Sequence, residues 1–165
     1  MRKGDEVMLL PSGFTTRISR IDMYKKEVEE AFPPMSVVVH IEDDYDLSRG
    51  DMIVRANNMP RQEQDLDLMI CWFHEKPLVE RGKYVLRHTT REVRCIIKEV
   101  RYRMDVNTLH RDMTNKNIGM NDIARVSIRT TLPLFVDSYH KNRITGSVIL
   151  IDEGTNETVA AGMII

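Results

Sequence analysis

Several ingredients are scarce or absent in this sequence, and each absence excludes something. No apolar run approaches the roughly 18 residues that a membrane-spanning helix needs. The opening "MRKGDEVMLLPSG" interrupts its short apolar core with charges and a turn, which excludes the pattern of a secretory signal. Only two cysteines occur, Cys71 and Cys95, and they form no CxxC; they read as reduced core thiols of a cytoplasmic protein rather than as a disulfide or zinc framework. Aromatic residues make up 6% of the chain, and 24 lysines and arginines stand against 25 aspartates and glutamates, a net charge of -1. A dedicated nucleic-acid binder carries a basic excess and stacking aromatics, so this class is disfavoured.

Catalytic signatures are equally sparse. None of the eight glycines belongs to a GxxxxGK[ST] string, whose backbone amides would cradle phosphate while its lysine met the charge. "TNKNIG" (114–119) resembles a guanine-reading NKxD motif only in part, because Ile118 stands where the aspartate is required. His40, His74, His88, His110 and His140 show no HxxxH or HExxH spacing, and no GxSxG elbow anchors a hydrolase triad. The acidic run "EDDYD" (42–46) lacks the alternation of a calcium loop and reads as a solvated turn. "RGD" (49–51) and the sequon "NET" (156–158) read as chance matches in a chain without a secretion signal.

What is present is a succession of short β-favouring segments separated by turn signals. Strands are expected at Glu6–Leu10, Phe14–Ile21, Ser36–Ile41, Met52–Val54, Leu66–Phe73, Lys83–His88, Ile123–Thr130, Ser147–Ile151 and Thr158–Ile164. The polar stretch 55–65, "RANNMPRQEQD", reads as a linker between two domains. Two segments carry a different period. Val93, Ile96, Ile97 and Val100 fall at i, i+3, i+4 and i+7, with Thr89 and Glu92 spaced as a capping box, so spacing alone favours a helix there. "KKEVEEAF" (25–32) is also helix-compatible until Pro33 and Pro34 stop it.

Five strings carry a family resemblance: "GDEVMLLPSG" (4–13), "IEDDYDLSRGDMIV" (41–54), "YRMDVNT" (102–108), "NDIARV" (121–126) and "NRITGSVILIDEGTNETVAAGMI" (142–164). They are similar to the large, GTP-hydrolysing subunits of bacterial sulfate adenylyltransferase. The similarity runs over the whole chain and falls on the second half of those subunits. It implies an all-β fold: residues 1–56 as the C-terminal half of one small translation-factor-like barrel, and 57–165 as a complete six-stranded antiparallel barrel like that of elongation factor Tu. It further implies a long strand at Thr90–Arg103 against the helical spacing, an irregular connection at 25–32, and a loop over 107–121.

The resemblance also implies that the chain is a fragment or split product, without the GTP-binding domain and without half of the first barrel. GTP and Mg²⁺ are then expected only in that missing domain, with no cofactor or metal in this chain. The expected partners are the missing GTPase domain and a small catalytic subunit that makes adenosine 5'-phosphosulfate and pyrophosphate from ATP and sulfate. Two other classes stay open: a translation-factor-like RNA-binding module and a stand-alone protein-interaction module. No residue is expected to be catalytic. Structural or interface roles are expected for Gly50 and Gly146 in turns, and for Gly162 at a close strand approach. Arg49 is expected either to pair with Asp44 or Asp46 or to be solvated, and Asp137 with Tyr139 either to line an interface or to form a polar connection.

Overall fold

The computed structural model describes residues 1–165 and contains strands but no helix; no helix is therefore long and apolar enough to cross a membrane. The chain divides into two compact units, Met1–Met59 and Pro60–Ile165.

The first unit is one five-stranded sheet built from β1 (Glu6–Leu10), β2 (Thr15–Met23), β3 (Lys26–Glu27), β4 (Val38–Ile41) and β5 (Met52–Val54). The order is β3-β2-β1-β5, with β4 also pairing β2. Alternation in β2 buries Thr16, Ile18 and Ile21, and Val7 of β1 joins Ile18 and Ile21 in a small core ringed by Val28, Val39 and Ile53. The helix-compatible stretch 25–32 instead turns back on β2 through β3, pairing Met23 with Lys26. Gly50, at φ 103°, occupies the turn closed by the Asp51 amide on the Ser48 carbonyl (3.0 Å), a conformation that disfavours a Cβ.

The second unit is a closed antiparallel barrel of β6 (Arg61–Trp72), β7 (Lys83–His88), β8 (Arg91–Met104), β10 (Ile123–Val136), β11 (Ser147–Asp152) and β12 (Thr158–Ile164), with the two-residue β9 (Arg111–Asp112) appended to β8. Neighbours run β10-β6-β12-β11-β7-β8, and β8 returns to pair β10, so no edge is left open among the six. The all-β expectation and the six-stranded barrel are both present. Inward residues fill it: Leu66, Leu68, Ile70 and Trp72 from β6, Leu86 from β7, Ile97 and Val100 from β8, Val126 and Ile128 from β10, and Leu150 from β11. Trp72 meets Tyr84 edge-on (5.8 Å, 82°) and donates its indole N–H to the Lys76 carbonyl at 2.8 Å, so its polar atom is satisfied inside the core.

Three sequence expectations need correction. The helical spacing in 89–104 belongs to a strand, as the family resemblance implied. β8 buries Val93, Cys95, Ile97, Val100 and Tyr102, and its pairing with β10 slips twice, passing over Lys98 and Arg101. An alternating strand with inserted residues imitates a helical period. Both inserted cations reach carboxylates of β6, Lys98 to Asp65 and Arg101 to Asp67, each at 3.3 Å. The polar stretch 55–65 is strand from Arg61 onward, because Gln62 and Glu63 pair with Phe135 and Leu134. β10 likewise continues six residues past Thr130, through Pro133, where its pairing with β6 is irregular between Arg129 and Leu134 and tolerates a residue without an amide donor.

Candidate functional site

The connection from β10 to β11, residues 137–146, is tied to the barrel through a buried carboxylate. Asp137 is buried, at 7% exposure, and both of its oxygens are engaged. Lys141 Nζ donates to Oδ1 at 2.6 Å and Thr145 Oγ1 to Oδ2 at 2.8 Å, while the Asp137 amide donates to the Thr145 carbonyl at 3.2 Å. Burial opposes ionisation of this carboxyl, yet the hydrogen bonds from Lys141 and Thr145 outweigh it and hold its pKa below the usual aspartate range.

The same Thr145 carbonyl receives His88 Nε2 of β7 at 2.8 Å. A carbonyl only accepts, so Nε2 carries the proton. His88 is 1% exposed, and burial pushes its pKa down, against the opposing influence of Thr145 and Asp137. Two loop ends and a barrel strand are thus joined through one threonine.

Gly146 closes the loop. Its amide donates to the Asn142 carbonyl and its carbonyl accepts from Ile164, both at 2.8 Å, while the Tyr139 amide reaches the Ile164 carbonyl at 2.8 Å. A Cβ on Gly146 would lie 2.4 Å from Tyr139 Cα and 2.6 Å from Tyr139 N. The glycine is demanded by a close backbone approach, with the loop folded onto the end of β12. Gly162 stands in the middle of β12, where a Cβ would meet the Ile70 and Val148 methyl groups at 3.0 and 3.2 Å, between the two neighbouring strands.

Beside this loop the outer surface of the barrel is apolar. Strand register sets Ile149, Ala161, Cys71 and Ile123 in one row across β11, β12, β6 and β10. Met163 and Met69 follow in the next row. The short side chain of Ala161 leaves a depression of about 580 Å³, rimmed by Tyr139 and Ile144 of the loop and by Arg87 and Thr89. Ile144 is 70% exposed and Met163 40%. Arg143 stands 5.9 Å over the Tyr139 ring, holding that rim residue beside a cation. With the Asp137 carboxylate saturated and His88 sealed away, the arrangement offers recognition by shape and apolar contact.

Asp137, Tyr139, Gly146 and Gly162 therefore lie around one region of the barrel, whereas Arg49 and Gly50 lie in the first unit. Arg49 is exposed in its turn. Sequence reasoning missed His88, Lys141 and Thr145, which converge only through barrel closure. It also missed Ile144 and the outward row. A signal for that row was present: "LMIC" (68–71), "VILI" (148–151) and "VAAGMI" (159–164) are apolar at both alternating positions, as strands covered on both faces are.

Known proteins resemble this chain in sequence and in fold. A family model described as GTP-eEF1A C-terminal domain-like matches residues 65–165. The bifunctional enzyme CysN/CysC of Mycobacterium tuberculosis is 54% identical over 166 residues, covering 100% of this chain and 27% of that protein. Sulfate adenylyltransferase subunit 1 of Bacteroides thetaiotaomicron is 41% identical over 173 residues, and that of Sulfurovum 39%, each covering 100% of this chain and 36% of the relative. The chain thus spans about a quarter to a third of the length of these relatives. Among solved structures, sup35 complexed with GDP superposes with a TM-score of 0.88 at 17% identity, covering 100% of this chain and 41% of that one.

Proposed function

Because the chain belongs to the GTP-eEF1A C-terminal domain-like family, we propose that it acts as the non-catalytic barrel region of a GTP-dependent sulfate adenylyltransferase large subunit, in sulfate activation. The observation that carries this reading is similarity over the whole chain, both units included, to proteins named sulfate adenylyltransferase subunit 1 at 36–41% identity. The apolar depression beside the 137–146 loop supports it, since a solvated outer strand face normally alternates with polar residues.

In this role the barrel presents a rigid surface to its GTPase domain and to the small catalytic subunit. GTP and Mg²⁺ belong to the GTPase domain, and the adenylyl transfer from ATP to sulfate to the small subunit. The chain's own contribution is positional: Asp137, Lys141, Thr145 and Gly146 fix the loop that carries Tyr139 and Ile144 to the rim. A cytoplasmic location follows from the same role.

Two measurements test the reading. The 165-residue chain should retain the small catalytic subunit, or a separately expressed GTPase domain, in co-purification. Calorimetry of the chain alone with GTP and Mg²⁺ should show no binding at micromolar concentrations. Failure to retain either partner, or micromolar GTP binding, overturns it.

A further inference from the structure

The first unit carries an aromatic surface that the barrel's role does not use. Phe14, in the turn between β1 and β2, stacks on Tyr45 with ring centroids 4.7 Å apart and planes 11° from parallel. Phe14 is nevertheless 51% exposed, and Leu47 close by in sequence is 41% exposed. The two rings come from segments 31 residues apart and are held in place by backbone: the Leu9 amide donates to the Phe14 carbonyl at 2.8 Å, and the Glu42 amide to the Arg17 carbonyl at 2.9 Å. An aromatic pair fixed in this way, with the Phe14 ring left half in solvent on the partly covered Tyr45, is a prepared platform rather than a piece of core.

The charge around it is mostly negative: four carboxylates lie between Glu42 and Asp46, and Arg49 is the one cation that follows before Gly50. Glu42, Asp43, Asp44 and Asp46 are all exposed and have no ion-pair partner. Elsewhere in the same unit carboxylates face cations: Asp5 with Arg55 at 2.6 Å, Asp22 with Arg20 at 2.8 Å, Glu27 with Lys3 at 2.7 Å and Glu30 with Arg2 at 3.2 Å. Arg17, the one cation in the shallow cleft beside Glu42 and Asp43, pairs with Glu6 at 3.9 Å. The four carboxylates do not converge as ligands for a metal ion. They are spread along a loop, as suits several cationic groups on an extended partner.

We propose that the Phe14–Tyr45 stack and the carboxylates flanking Tyr45 form a docking surface for an arginine- or lysine-bearing peptide segment of a protein partner. A cationic head over the exposed Phe14 face gains a cation–π contact, and the uncompensated carboxylates steer and retain it. The same charge repels nucleic acid and a phospholipid surface. The inference concerns the first unit and holds independently of the assignment of the barrel.

The test uses the full chain, labelled with ¹⁵N, and a synthetic hexapeptide alternating arginine and glycine, with a glutamate–glycine hexapeptide as control. The arginine peptide should shift amides of Phe14–Arg17 and Glu42–Leu47, and the control should not. Phe14→Ala should weaken binding about two- to fivefold. The combined E42Q/D43N/D44N/D46N variant should weaken it by at least about tenfold at low salt. Both variants change exposed side chains, and unchanged thermal melts confirm that they fold. Equal affinity of the Phe14→Ala variant means charge attraction without a platform and overturns the proposal. So do absent binding, shifts scattered over other acidic surfaces, an oligonucleotide shifting the same amides, or self-association abolished by Phe14→Ala, which makes a second copy the occupant.

Discussion

The backbone of Tyr139 passes so close to Gly146 that a methyl group on the glycine would sit 2.4 Å from Tyr139 Cα. Both neighbours in this contact are main chain, which cannot rotate aside. Gly146→Val is expected to destabilise the barrel by about 2–4 kcal/mol, read as a lower thermal midpoint. Gly162→Ala meets the methyl groups of Ile70 and Val148, with the Met69 carbonyl at an ordinary 3.5 Å, and should cost about 1 kcal/mol or less. Equal losses at the two sites would contradict the distinction between backbone and side-chain contact.

Acid should loosen the 137–146 loop in two stages. His88 has a folded pKa below its unfolded value near 6.5, so the unfolded chain binds the extra proton first. Its contribution to stability is whole above that unfolded value and is lost as pH falls through the depressed folded one. Asp137, also depressed, contributes fully above the ordinary aspartate value, and its share disappears at still lower pH. Thermal midpoints measured from pH 7.5 to pH 3 should fall first with His88 and then with Asp137, and the first fall should shrink in His88→Gln. Nitrogen-detected NMR at neutral pH should find His88 neutral with its proton on Nε2.

Replacing Asp137 by alanine leaves the partly buried Thr145 hydroxyl without its carboxylate partner and is expected to cost about 1–3 kcal/mol. Lys141→Ala should cost less, because that side chain is more than half exposed and its ion pair is open to solvent. Chemical denaturation of the two variants checks the order.

The two thiols should react unequally. Cys95 is 2% exposed, and burial pushes its pKa up to about 12. Cys71 is only partly covered, in the apolar row beside Ala161. At pH 8 the folded chain should therefore take up one equivalent of a thiol reagent quickly, at Cys71, and the second only on unfolding. Mass spectrometry of the labelled peptides identifies which one reacted.

Ile144→Asp changes a residue that is 70% exposed, so the thermal midpoint should move little. It places a charge on the rim of the apolar depression, and retention of the barrel's partner should fall by at least about tenfold. Loss of retention together with loss of folding would make Ile144 structural.

Much of the fold was legible because strand alternation is local. The turn signals "PSG" and "DEGTN" bound runs such as Glu6–Leu10, Ser147–Asp152 and Thr158–Ile164 closely. The 89–104 segment misled because its slips in register shift the buried set by one residue, from Ile97 to Val100. The family strings carried the strand there, where periodicity failed. The site was less legible. Asp137, Tyr139, Gly146 and Gly162 were named in the sequence as turn, strand-approach or interface candidates, but the partners of Asp137 were not. His88 is 57 residues from Thr145, and only closure of the sheet brings them within 2.8 Å. Phe14 and Tyr45 were likewise invisible as a pair, since nothing in either segment encodes the other.

The barrel's first and last strands, β6 and β12, are neighbours and run antiparallel, with Leu68 opposite Ile164. Closure removes every free edge, yet it sets the entering and leaving chain beside each other. Tension applied between these two ends does not shear the sheet as a whole. It loads the β6–β12 pair one hydrogen bond at a time from the Leu68–Ile164 end, and the first resistance it meets is the pair of hydrogen bonds that tie Ile164 to Gly146 and Tyr139.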